Sequence, residues 1–212
     1  MRLLILITGL FLLSCGQHSP DKKETKTVKD SMVTARDTSS GNNMQGNATD
    51  SATPVPSVLA ARVNGILKAQ PGNQWHVLND REAKWISGQF DYFIAPKRKT
   101  DPDYPYIATS DFDGDHSIDI AAIVTDDKKI NFQLVIIMGA DEKIPRVLTW
   151  KEDIAEDAAI SVQRKSVIEG FEGEKTKKIN IKSHGINVEY FETASFVLYW
   201  TGTGFKRIQT GD

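Results

Sequence analysis

The chain has 212 residues, 40% hydrophobic and 25% charged, with a formal net charge of −2 at neutral pH. That length allows one domain or two small ones, and the charge balance argues against a nucleic-acid partner. A single cysteine excludes an internal disulfide, and the four histidines, His18, His76, His116 and His184, share no zinc-ligand spacing.

The N-terminus reads as a targeting segment rather than as part of a fold. Arg2 is a minimal positive start, and Leu3 to Leu13 is an apolar run of about eleven residues, too short to span a bilayer. It ends Leu12-Leu13-Ser14-Cys15-Gly16, which resembles the lipobox of bacterial lipoproteins. The resemblance implies removal of residues 1–14 and acylation of Cys15 on its sulfur and its new amine. Two or three fatty chains make a stable anchor where one is marginal. Gly16 stands where Asp would signal inner-membrane retention in such families. The expected location is therefore the bacterial cell envelope, at the outer membrane. If Cys15 is acylated, no free thiol remains.

Residues 15–55 change character. They are rich in Ser, Thr, Asn, Asp and Lys and nearly free of large apolar side chains. Such a stretch cannot bury enough surface to offset its ordering entropy. It is expected to be a disordered tether with a reach of about 35 Å.

A single folded domain is expected over 56–212. Ser57 is a candidate N-cap for a helix carrying Val58, Leu59, Val63, Ile66 and Leu67, stopped by Gln70-Pro71-Gly72. Asp80 to Ile86 suggests a helical turn. Phe90, Tyr92 and Phe93 are expected in the core, and Pro96 to Asp103 as a polar loop. Tyr104 to Thr109 and Ile118 to Val124 read as strands, as do Ile130 to Met138 and Ile144 to Trp150. Asp126 to Lys129 is a hairpin turn, and Lys151 to Ala158 a solvated stretch with one helical turn. The last third alternates at period two through Ile179 and Ile181, then Ile186, Val188 and Tyr190, then Ser195 to Trp200.

Between the strands ending at Thr109 and beginning at Ile118 lies Asp111 to Asp119, read DFDGDHSID. Carboxylates at positions one, three, five and nine repel, by about 1 kcal/mol per pair at ~4 Å in water and about 4 kcal/mol at a protein surface. A cation relieves that repulsion, and oxygen-only ligands select a hard ion, calcium before magnesium. An EF-hand is excluded: its loop requires Gly at position six and Glu at position twelve between helices, whereas this chain has His116 and Ala122 between strands.

The pattern resembles the calcium loops of FG-GAP and VCBS repeats, with Asp111, Phe112, Asp113, Gly114, Asp115, Asp119, Ile120 and Ala121 matching and His116 departing. The resemblance implies a ligand set of Asp111, Asp113, Asp115, Asp119 and the Ser117 carbonyl, with Phe112 as a buried anchor. The motif occurs once, so a propeller is not implied. The ending YWTGTGFKRI resembles a hairpin near the C-termini of small bacterial lipoproteins with one Asp-rich loop. It implies an α+β domain, an N-terminal helix packed on a mostly antiparallel sheet.

No nucleophile elbow, phosphate-binding loop or dinucleotide fingerprint occurs. The expectation is a non-catalytic binding or interaction module stabilised by Ca2+, anchored to a membrane and facing an envelope protein or glycan. The alternative is a metal-assisted hydrolase working from the Asp111–Asp119 loop, which would need open coordination positions beside a cleft and a base.

Overall fold

The computed structural model describes residues 56–211, except 73 and 87. The expected signal segment 1–14, Cys15 and the tether up to residue 55 lie outside the described residues. None of the described helices is long and apolar enough to cross a membrane.

Helix α1 (Val58–Lys68) begins where the sequence offers a cap: the Ser57 hydroxyl accepts from the Ala60 amide at 3.0 Å. Val63 and Leu67, one helical turn apart, are the positions α1 buries. Lys68 sits in its last turn, where a positive charge suits the helix dipole.

The first sheet holds β1 (Trp75–Val77), β2 (Ile107–Ser110), β3 (Asp119–Asp126), β4 (Phe132–Met138) and β5 (Arg146–Thr149). It runs β1-β3-β4-β5, with β2 also paired to β3. Strands β1 and β2 share one edge of β3 end to end: Val77 faces Val124, and Ile107 faces Ala122. Every residue of β3 is buried, which accounts for an unbroken run of apolar side chains where a half-exposed strand would alternate. At its end, Asp126 accepts from the Ile130 amide at 3.1 Å and Asn131 Nδ2 at 2.6 Å, closing the hairpin.

The second sheet is ordered β6-β9-β10-β11-β7-β8 and is antiparallel throughout. Its strands are β6 (Ala158–Gln163), β7 (Val167–Glu172), β8 (Lys175–Asn180), β9 (Gly185–Tyr190), β10 (Ala194–Trp200) and β11 (Phe205–Gly211). Ile160, Ile186, Val188, Phe196 and Leu198 join the core shared with the first sheet. The alternate positions Val197 and Ile208 form a separate cluster with Ile168 and Ile181. The β7–β8 hairpin meets β11 closely at Gly170, where a Cβ atom would fall 2.1 Å from the Gln209 carbonyl oxygen. Only glycine permits that approach.

The α+β expectation is therefore corrected. The described fold is mostly β, eleven antiparallel strands in two sheets, with helix limited to α1, a π-helical turn at Phe90–Ile94 and the four-residue α2 (Ala95–Arg98). The missed weight of strand lies in β6, whose partner β9 comes more than twenty residues later, and in β7, which pairs with the neighbouring, largely exposed β8 and meets β11 at one position. Local propensity carries no trace of such pairing. Two further expectations are corrected. Phe90 to Ile94 forms a π-helical turn that leaves Tyr92 78% exposed, and Asp80 to Ile86 forms no helix.

Candidate metal centre

The Asp loop bridges β2 and β3, whose pairing closes with Ser110 opposite Asp119. Inside it the backbone folds onto its own carboxylates. Gly114 and His116 donate their amides to the two oxygens of Asp111, at 2.6 and 3.1 Å. Asp115 donates to Asp113 Oδ1 at 3.1 Å, and Ser117 to Asp115 Oδ1 at 2.7 Å. These bonds turn the side chains inward along a tight chain path. Gly114 and His116 take left-handed backbone angles, φ 86° and 73°, to complete it. Histidine tolerates that region better than most residues.

The result is one cluster. Asp111, Asp113 and Asp115 each offer a carboxylate oxygen, and these oxygens lie within 4.8 Å of one another. A group of three such carboxylates can hold a metal ion. At that spacing each pair repels by roughly 3–4 kcal/mol at an effective dielectric near 20. Burial, with the Asp115 and Asp111 charges behind it, pushes the Asp113 carboxyl above its ordinary value against the pull of the Asp115 amide.

Asp119 has a different place. It is fully buried, outside the three-carboxylate group. Its Oδ2 accepts from the Phe112 amide at 2.8 Å and its Oδ1 from the Gly139 amide at 2.9 Å. Burial raises its pKa, and the carboxylates of Asp113 and Asp115 raise it further, while the two amides hold it down. Asp119 thus ties the start of the loop to the end of β4.

The loop is also held from the second sheet. Phe112 is fully buried, and its carbonyl accepts from the buried Ser183 hydroxyl at 2.7 Å. Ser110 Oγ and His184 Nδ1 share a hydrogen bond beside it. Ser183 and His184 stand in the turn between β8 and β9, about seventy residues away in sequence. Nothing local in that turn marks it as a support for the Asp loop. The Ser117 amide is spent within the loop, and the His116 side chain is 96% exposed, its Nδ1 3.9 Å from Asp111 Oδ2.

Comparison with protein-family models, with curated proteins and with solved structures gives no match for this chain.

Proposed function

We propose that the protein is a lipid-anchored module of the bacterial envelope, non-catalytic, whose β domain is stabilised by one calcium ion. The convergence of Asp111, Asp113 and Asp115 on one point carries the reading. Calcium is the ion that suits it: the ligands are all oxygen, on a loop with several adaptable turns, where magnesium demands near-ideal octahedral geometry. The loop resemblance adds the Ser117 carbonyl and Asp119 to the set, and each Asp119 oxygen keeps a lone pair beyond its amide bond.

A stabilising role is supported by what the loop joins. Through Asp119 it reaches β4, and through Phe112 it reaches the turn before β9. An ion that cancels the carboxylate repulsion therefore tightens contacts to both sheets. The anchor rests on the Cys15 lipobox resemblance and places the domain at the outer membrane, where its partner is an envelope protein or a glycan.

Titrating calcium into chelator-stripped protein tests the ion site. One calcium per chain is expected, at a Kd of about 10⁻⁴ to 10⁻³ M, with magnesium weaker and the heat lost in Asp113→Ala. Absence of binding, or binding that survives in Asp113→Ala, contradicts the assignment.

A further inference from the structure

A cleft of about 580 Å3 opens between the start of α1, β1 and the segment leading into β2, and it shares no residue with the Asp loop. Its volume falls within the range of small-molecule sites, roughly 300–1,000 Å3. Val77, Leu78 and Ile107 supply buried apolar lining. The polar walls are braced. Arg98 reaches both oxygens of Asp80 at 2.6 Å, although the run Lys97-Arg98-Lys99 reads in sequence as a solvated loop. The Tyr106 hydroxyl donates to the same carboxylate at 2.9 Å and accepts from Trp85 Nε1 at 3.1 Å. Across the cleft, the nearly buried Glu82 carboxylate lies 3.1 Å from His76 Nε2 and 3.2 Å from Lys129 Nζ, and accepts from Asn79 at 2.5 Å. Arg98, Lys129 and His76 are thus each engaged by a carboxylate.

Two lining groups retain capacity. Asp103 Oδ1 is shielded from solvent and accepts no hydrogen bond among the described residues. Such an unmet buried acceptor is destabilising, more so on a charged group, and a turn of the carboxylate toward an incoming donor satisfies it. Asn64 spends its Oδ1 on the Val77 amide at 2.8 Å, which leaves its Nδ2 hydrogens to donate.

A ligand that meets both groups must donate and accept. An ammonium only donates, and a carboxylate or phosphate only accepts, so neither meets both groups. A hydroxyl does both. We propose that this cleft binds a neutral saccharide of one or two rings, with hydroxyls donating to Asp103 and accepting from Asn64. The apolar lining takes the C–H face of a ring. Saccharide binding stands or falls separately from calcium, because the two sites have no residue in common.

The test is saturation-transfer NMR on the full chain in a sugar-free detergent. The probes are glucose, N-acetylglucosamine, maltose and N,N′-diacetylchitobiose, with choline and inorganic phosphate as the cationic and anionic comparisons. At least one sugar should bind saturably in the millimolar range. Asp103→Ala and Asn64→Asp, the latter keeping the Val77 contact, should each weaken it by about tenfold or more, a loss of about 1.4 kcal/mol. Thermal melts without sugar identify the variants that fold, and either one decides the outcome. The proposal is overturned if no sugar binds, if choline or phosphate binds instead, or if a folded variant binds as wild type does.

Discussion

Asp80 and Asp113 are both carboxylates among polar neighbours, and their surroundings push them in opposite directions. Burial raises Asp80, but the hydrogen bonds from Arg98 and Tyr106 and the Arg98 charge outweigh it, holding the group below its ordinary 3.8. Asp113 has no cation to offset its burial, and burial first, then the Asp115 and Asp111 charges, raise it against the pull of the Asp115 amide. For Asp80 the folded chain binds its proton less readily than the unfolded chain. Its contribution is therefore full above about pH 3.8 and is lost as pH falls through the lowered folded value. Urea denaturation should show wild type ahead of Asp80→Asn by up to about 1 kcal/mol at pH 6, the size of a half-exposed pair. The gap should close toward pH 3. A gap that widens on acidification contradicts the pairing. Nothing in the sequence marked Asp80, because Arg98 and Tyr106 lie 18 and 26 residues further on. The Asp loop was legible because its carboxylates are spaced at alternate positions in a single run.

The loop as an element depends on one residue whose role differs from its neighbours'. Asp119 fits the same alternating pattern as Asp111, Asp113 and Asp115, yet both its oxygens serve backbone amides. Removing it leaves two amides without their charged acceptor, at about 1.5–3 kcal/mol each. In chelator, Asp119→Ala should lose about 3–6 kcal/mol in urea unfolding, whereas Asp113→Ala should lose little or gain slightly by relieving repulsion. Equal losses for the two variants would contradict this division of labour. The strands tell a related story. β3 and β4 announce themselves as apolar runs because both are almost wholly buried. β8 is exposed at nearly every position, and only its tail, where Ile179 and Ile181 alternate, gave a signal. β6 and β7 are mixed in burial, and β6 depends on the distant β9, so the sequence left them unassigned.

At the scale of the whole molecule, the α+β expectation rested on the resemblance of the ending YWTGTGFKRI, whereas the described fold is mostly β, with β6 and β7 adding to the strands legible in sequence. The anchor is testable apart from the fold. Cells expressing Cys15→Ser should release the protein from the membrane fraction, and a variant that stays bound as wild type does would contradict acylation. The central claim is that calcium at Asp111, Asp113 and Asp115 stabilises the domain. Calcium at ten times its Kd adds about 1.4 kcal/mol if only the folded chain binds it, a rise of roughly 3–6 °C in Tm for a domain of this size. The direct measurement is a pair of thermal melts of wild type and Asp113→Ala, in calcium and in chelator. A rise of that size in wild type and none in Asp113→Ala is the predicted result; equal melting temperatures for wild type in the two buffers would contradict it.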